Sequence, residues 1–101
     1  HLTGDSGMFT TYHPYTGSST IHVANGSTIP IIGFGTCPLT PSIHLASVAH
    51  VHHNPFNLIS INKLTRNLNC VATLTSSGVF LFKSGRRIGK LVEVIFGLGF
   101  I

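Results

Sequence analysis

The stretch Ser19-Thr20-Ile21-His22-Val23-Ala24-Asn25-Gly26 decides the fold class of this 101-residue chain. Its first part is rich in β-branched side chains that partly alternate with polar ones, and Asn-Gly is the strongest short signal for a tight hairpin turn. Residues 27–34 then return as a partner strand. Pro30 removes a backbone donor, so this strand is expected to lie at an edge or to carry a bulge. The stretch therefore predicts an antiparallel strand pair.

Further strands are predicted on the C-terminal side of this hairpin. Ile43–Val51 indicates an interior strand, because both of its faces are at least half apolar. Strict alternation would place Ser47 on the face of Val51 and would place Val48 on the opposite face with His50. Residues 70–74 and 79–82 predict a second hairpin, and a further turn at 84–85 leads into a last strand. Turn signals at roughly 8–12-residue spacing are typical of a small barrel or sandwich.

One short helix interrupts the predicted strands. Asn57 has the side chain of a helix N-cap, and the following apolar residues recur at helical spacing. We therefore expect an amphipathic helix near residues 57–66. The core is expected to contain apolar residues from both hairpins and this helix: Ile21, Val23, Ile32, Leu58, Ile61, Leu64 and Val79.

Charge is scarce and unevenly placed. Only 8% of residues are charged, against about 25% in an ordinary soluble domain. All six Lys and Arg lie between Lys63 and Lys90, so residues 1–62 carry a formal −1 and residues 63–101 a formal +5. Along the sequence no aromatic stacking pattern interleaves with these charges, so no direct nucleic-acid contact is expected. A basic nucleic-acid-binding module stays open as the weakest alternative.

Neither a membrane segment nor a disulfide framework is indicated. The most apolar stretch, residues 91–101, has 11 residues and includes Glu93, whereas a membrane span needs about 20. Cys37 and Cys70 form no Cys-x-x-Cys pair and no secretory signal is visible, so we expect reduced, mostly buried thiols in a cytoplasmic protein. We interpret the chain, which begins at His1, as a segment of a longer protein.

Metal binding and hydrolase triads are not favoured. His50, His52 and His53 cluster, with His44 nearby in the same predicted strand, but neither a cysteine nor a carboxylate accompanies them as a ligand or second shell. We expect loop and surface histidines and no metal or other cofactor. With so few acids and no Gly-x-Ser-x-Gly elbow, a Ser-His-Asp hydrolase is favoured even less.

Four segments follow one another in a recognisable order along residues 1–90. They are His1-Leu2-Thr3-Gly4-Asp5 with Phe9 and Tyr12; Thr20-Ile21 to Asn25-Gly26-Ser27 and then Ile32-Gly33-Phe34-Gly35-Thr36; His50-Val51 and then Asn57-Leu58-Ile59-Ser60-Ile61-Asn62-Lys63-Leu64-Thr65; and Leu68-Asn69-Cys70 with Val79-Phe80 and Ser84-Gly85-Arg86-Arg87-Ile88-Gly89. In this order they resemble the protease region of copia-type retrotransposon Pol polyproteins, the TNT-class elements common in plants.

The resemblance implies an all-β fold, a small retropepsin-like closed barrel over residues 1–90 that lacks its N-terminal strand and catalytic loop. Residues 91–101 depart from the family pattern and form a divergent tail or a last strand. In such enzymes each of two subunits supplies one Asp, and the two carboxylates share a proton and activate a water. The resemblance therefore implies a homodimer, or contact with neighbouring polyprotein domains, as the partner.

Asp5-Ser6-Gly7 has the Asp-Ser/Thr-Gly form that carries the carboxylate in aspartic proteases. The family's own triplet precedes its His-x-Thr-Gly segment, however, so the resemblance places the catalytic Asp about six residues upstream of His1. The four residues before Asp5 are too few for a supporting strand and are expected to fray. We therefore expect Asp5 to be a turn residue and assign no catalytic residue.

The sequence thus predicts a β-barrel fragment of a retrotransposon Pol polyprotein whose parent is an aspartic endopeptidase that processes the polyprotein. The chain as it stands is predicted to be inactive. The alternative is a non-functional relic of a decayed element. The divergent tail after Gly89 favours the relic, because a shifted reading frame would produce it.

Overall fold

The computed structural model describes residues 1–23, 25–54 and 57–91. Its contacts divide the chain into two compact units, His1–Ser60 and Ile61–Ile101. Almost all of the predicted tail, from residue 92 onward, lies outside the described residues. The assignment of residues 1–90 to one domain stays a prediction.

The first unit is a five-stranded sheet with a single 3₁₀ turn, Ser6–Met8. Its strands are β1 (Leu2–Thr3), β2 (Thr11–Pro14), β3 (Thr20–His22), β4 (Thr28–Thr40) and β5 (Ile43–Val51). The order is β1-β5-β4-β2, and β3 pairs with the first part of β4. All of these pairings are antiparallel except β1 with β5, which is parallel.

The hairpin predicted from Asn25-Gly26 is confirmed. The Val23 N–H donates to the Ser27 carbonyl at 2.9 Å, and Gly26 has a φ of 87°, which glycine adopts without a steric penalty. The Asn25 Oδ1 atom accepts from the Ser27 N–H at 2.9 Å and so closes the turn. Pro30 pairs with β3 only, one residue before β4 begins to pair with β5. The strand itself lies between β5 and β2, so the predicted edge position is wrong, whereas the predicted alternative, a bulge, fits the register shifts between β4 and β5.

Strand β5 has the predicted bounds and lies inside the sheet, between β1 and β4. The predicted alternation of its faces is wrong beyond its middle. Ser47 has a φ of 55°, in the left-handed region, and the register with β4 shifts at this point. Such a bulge reverses which side chains point inward. As a result Val48 and His50 continue the buried face of Leu45, and Ala49 and Val51 on the other face are buried as well.

A core cluster of the first unit lies where the first part of β4 pairs with the end of β5. Ile31, Ala49 and Val51 are buried there, and partly buried apolar side chains pack against them: Leu2, Tyr15, Ile21, Ile29 and Phe34. The prediction that Leu58 belongs to the core is wrong, because its side chain is 47% exposed. Leu58 contributes its backbone instead, which bridges to Leu2.

The second unit contains α1 (Ile61–Leu68) and a meander of β6 (Val71–Thr75), β7 (Gly78–Lys83) and β8 (Arg86–Leu91). The predicted helix is confirmed, but it begins at Ile61 and not at residue 57. It ends at Asn69, which has a φ of 50°, while the Cys70 N–H donates to the Thr65 carbonyl at 3.0 Å. Left-handed residues commonly end helices in this way.

Both predicted hairpin turns of the second unit are confirmed. Ser84 and Gly85 have φ values of 53° and 75°, the two positive angles that a type I′ turn requires. Leu64, Val79 and Leu81 are buried at 2%, 0% and 0% exposure, so the first two are core residues as predicted.

The described residues are mostly β with one short helix, as expected, but no sheet that they form is closed into a barrel. The prediction of a closed barrel is therefore wrong for this part of the chain, because β1 and β2 remain the two ends of the sheet order. Among the described residues no helix is long and apolar enough to cross a membrane. Both cysteines are free. Cys37 is buried, which raises the pKa of its thiol, whereas Cys70 is only partly buried.

Candidate functional site

The first residues of the chain form hydrogen bonds to β5 on one side and to residues 58–60 on the other. The Ala49 N–H donates to the His1 carbonyl at 3.0 Å, and Leu2 and Leu58 exchange two backbone hydrogen bonds of 2.9 Å each. The Ser60 N–H donates to the His1 Nδ1 atom at 3.0 Å. We call residues 1–8, with the segments 49–51 and 57–60 that contact them, the N-terminal junction. The expectation that residues 1–4 fray is wrong, because β5 supplies a parallel partner from 47 positions along the chain.

Thr3 is the polar centre of the N-terminal junction and is only 3% exposed. Its hydroxyl donates to the Asn57 Oδ1 atom at 2.6 Å and accepts from the Asp5 N–H at 3.1 Å. The side chain thus connects the turn after β1 to the segment that follows β5. Because Asn57 is engaged in this way, it does not cap the helix, and α1 begins further along.

Gly4 lies directly against the backbone of Asn54. A Cβ atom at position 4 would overlap the Asn54 carbonyl group. Only glycine permits so close an approach of two backbone segments. The contact holds the turn that contains Asp5 next to the segment after β5.

Asp5 is a turn residue, as predicted. It precedes the 3₁₀ turn, and its Oδ1 atom accepts from the Gly7 N–H at 2.9 Å. The side chain is exposed, and Asp5 is the only carboxylate residue among the described positions, since Glu93 lies outside them. An aspartic protease needs two carboxylates that share a proton. The described residues of one chain therefore contain no such pair.

His50 is buried beneath two aromatic side chains, and the expectation of a loop or surface position is wrong for it. Its ring is 8% exposed and contacts Phe9 and Tyr12, with ring centroids 5.7 and 5.5 Å away. The Tyr12 hydroxyl lies 2.8 Å from the His50 Nδ1 atom and donates to the Ile32 carbonyl at 3.3 Å. If the tyrosine proton goes to Ile32, His50 donates from Nδ1. These contacts tie β2 to β5 across β4.

The other histidines of the predicted cluster do not join His50. His44, His52 and His53 are exposed, and the rings of the last two contact each other at a tilt of 55°, with centroids 3.6 Å apart. Within residues 1–23, 25–54 and 57–91 no group of three or more His, Cys, Asp or Glu side chains is placed to hold a metal ion.

The sequence of this chain matches a known protein family. Residues 1–70 match the family described as "Pol polyprotein, beta-barrel domain". The chain belongs to this family. The match contains the whole N-terminal junction, the first unit and α1, so the family pattern includes every residue that holds the start of the chain. The β6–β8 meander lies beyond it.

Two curated relatives of this Pol polyprotein β-barrel domain come from Arabidopsis thaliana. They are the retrovirus-related Pol polyproteins from transposon RE2, 37% identical over 67 residues, and from transposon RE1, 36% identical over 67 residues. Each alignment covers 63% of this chain and 5% of the relative. The domain thus spans a small fraction of the proteins that it matches. No solved structure matches the chain significantly.

Sequence reasoning identified Asp5 as a turn residue but missed three features of the site. Thr3, Gly4 and the buried His50 act through contacts with residues far away in the chain. The Thr3-Gly4-Asp5 segment was visible as part of a family motif. Its partners around Asn54 and Asn57 carried no local signal.

Proposed function

We propose that this domain forms the supporting body of an aspartic endopeptidase in a retrotransposon Pol polyprotein, and that the catalytic Asp lies just upstream of His1. The observation that carries this proposal is the N-terminal junction. Residue 1 is held by hydrogen bonds from β5 and from Ser60, so a preceding segment would leave the domain at a fixed position.

Rigid support is what a catalytic carboxylate requires. Catalytic groups must be held to within about 0.5 Å by packed and hydrogen-bonded neighbours. Thr3 and Gly4 supply such support through the Asn57 side chain and the Asn54 backbone. A loop that precedes β1 would end at this fixed position. Asp5 itself lies on the exposed side of the turn, and its side chain accepts a hydrogen bond from Gly7.

A second copy is needed for activity under this proposal. Each copy contributes a single carboxylate, and two carboxylates at close range divide the roles of acid and base because both cannot ionise. We therefore propose a homodimer, active in the cytoplasm, that cleaves its own polyprotein. The 101-residue chain alone would not cleave peptides.

The test uses the polyprotein segment that includes the in-frame residues upstream of His1. We expect an apolar strand ending in Asp-Ser-Gly there, and concentration-dependent cleavage of the flanking polyprotein at mildly acid pH. Changing the upstream Asp to Asn should abolish cleavage, by at least about a thousandfold if it removes one member of the carboxylate pair.

Asp5→Asn in the same segment is the matched control, because it alters the other Asp-Ser-Gly triplet. It should leave at least half of the activity, since Asn retains the oxygen that accepts from Gly7. Loss of cleavage with Asp5→Asn but not with the upstream variant would overturn the proposal. So would a folded, dimeric segment with no activity, or a broken reading frame, which would leave the relic interpretation.

A further inference from the structure

The second unit concentrates positive charge without any described acid. Residues 61–91 include all six Lys and Arg of the chain and neither Asp nor Glu. Four of these cations lie on the β7–β8 hairpin: Lys83, Arg86, Arg87 and Lys90. A hairpin with this composition has no acidic neighbour within its own unit's described residues to neutralise it.

A β-bulge places two of these cations beside an aromatic ring. Arg87 and Lys90 are three residues apart, and on a regular strand they would point to opposite faces. The register between β7 and β8 shifts between Leu81 and Phe82, which leaves Ile88 as the extra residue. Arg87 and Lys90 consequently share one face, where the Arg87 Cζ atom lies 5.4 Å and the Lys90 Nζ atom 5.2 Å from the Phe80 ring centroid.

The face around Phe80 is accessible and carries further side chains of the same kind. Val79 and Leu81 alternate with Phe80 and Phe82 along β7. The first two side chains are fully buried on one side of the sheet, so Phe80 and Phe82 project from the other side, where they are half-buried. Arg87 and Lys90 are exposed. We call the surface formed by Phe80, Phe82, Arg87 and Lys90, with exposed Val71 and Thr73 beside it on β6, the cationic aromatic face.

We propose that the cationic aromatic face binds single-stranded nucleic acid. Surfaces of this function combine cations that follow the phosphate backbone with aromatic rings or guanidinium planes on which bases stack. The expectation of no nucleic-acid contact was based on the linear sequence, in which the aromatic and basic residues do not alternate. The bulge at Ile88 brings them together.

The same observations favour a single strand over a duplex or an acidic protein. Duplex bases are already stacked on each other, so a flat aromatic face gains nothing from them, whereas an unpaired base can stack on Phe80 or on the Arg87 guanidinium. An acidic protein segment would use the charges but not the rings. The six-residue strand β7 is about 20 Å long, enough for a few nucleotides.

The proposal predicts a specific dependence on salt. Neutralising about two phosphates on a single strand, one with Arg87 and one with Lys90, gives a slope near −1.4 in a plot of log affinity against log salt concentration. The test measures the fluorescence anisotropy of a labelled 12-nucleotide oligouridylate as the full 101-residue chain is added. It is repeated at salt concentrations from about 50 to about 200 mM, over which a slope of this size changes the affinity measurably. A 12-base-pair DNA duplex and polyglutamate serve as competitors of the two other classes.

Three variants separate a built site from diffuse charge. Phe80→Leu keeps all charges and should weaken oligouridylate binding about 5- to 100-fold, the range found for loss of one base-stacking ring. Arg87→Gln with Lys90→Gln should weaken binding further and reduce the slope by about 1.4. Lys63→Gln with Arg66→Gln removes the same charge from α1 and should have a markedly smaller effect.

The outcomes are distinguishable. Unchanged binding by Phe80→Leu, with its fold verified by circular dichroism, would overturn the proposal. Equal losses from the hairpin and helix double variants would overturn it as well, because only total charge would then matter. Competition by polyglutamate or by the duplex as strong as by unlabelled oligouridylate would also contradict it. None of these results depends on the proposed protease activity.

Discussion

The two units of this chain are built in opposite ways. His1–Ser60 has one charged residue, Asp5, and its sheet joins β1 to β5 over a separation of 47 residues. The described part of the second unit, 61–91, has six cations and consists of one helix and a meander of neighbouring strands. The first unit adds a long-range parallel pairing and buried polar contacts to its hairpins and apolar core, whereas the strands of the second unit pair only with their neighbours in sequence.

The two units therefore differ in how far apart in the sequence their paired strands lie. In a meander each strand pairs with the next one, so loop closure costs little and the turn residues specify the register. In the first unit β1 pairs with a strand from the middle of the chain, and the Thr3 hydroxyl adds a hydrogen bond to Asn57, which lies beyond the end of that strand. The comparison can be tested by removing the interaction on which each unit depends.

The largest effect is expected from Leu81→Ala in the second unit. Leu81 is fully buried in β7, and truncating such a residue costs about 2–5 kcal/mol of unfolding free energy. Hydrogen exchange should show the loss at the amides of β6–β8. Leu74→Ala, at 58% exposure, is the control and should change stability by less than about 0.5 kcal/mol. An equal loss at the amides of β4 and β5 would show that the two units unfold together, which would break the comparison.

A smaller effect is expected from Thr3→Val in the first unit. Valine has nearly the same shape but leaves the Asp5 N–H and the Asn57 side chain without their partner, which costs about 1–3 kcal/mol. The loss should appear in the exchange of amides in β1 and in β5. Thr3→Ser retains the hydroxyl and should recover most of it. If Thr3→Val and wild type unfold at the same denaturant concentration, the N-terminal junction does not depend on this hydroxyl.

The smallest effect should be stabilising. Ser84 has a φ of 53°, an angle that asparagine tolerates better than serine, and Asn-Gly is the preferred type I′ pair. Ser84→Asn should therefore raise the unfolding free energy by up to about 1 kcal/mol. Ser77→Asn in the other turn of the meander is the control, because Ser77 is not among the residues with positive φ and should gain nothing. Equal denaturation midpoints for all three proteins would contradict the assigned turn geometry.

The parts of the fold that the sequence predicted are those with local causes. Gly26, Ser84 and Gly85 specify their turns through positive φ angles that few other residues adopt, and Asn25 adds a side-chain oxygen that closes the first turn. Ile43–Val51 has the predicted bounds because the turns around it fix both ends. In each case the signal and the structure lie within a few residues of each other.

The parts that the sequence did not predict depend on tertiary contacts. Ser47 breaks the alternation of β5 although nothing marks it as a bulge residue. Asn57 has the side chain of a helix cap, but its oxygen accepts from Thr3, which lies 54 positions away. The pairing of Phe80 with two cations follows from a bulge at Ile88, and regular strand geometry would have separated them.

The parallel pairing at the start of the chain also sets a sequence of events during synthesis. A ribosome makes His1 and Leu2 well before the groups that bond to them, which belong to Ala49, Leu58 and Ser60. The N-terminal junction therefore cannot close until about 60 residues have left the ribosomal exit tunnel, and contacts of such separation form slowly. Until then β1 has no parallel partner, so the order of translation fixes β1 as a late strand of the first unit although it comes early in the sequence.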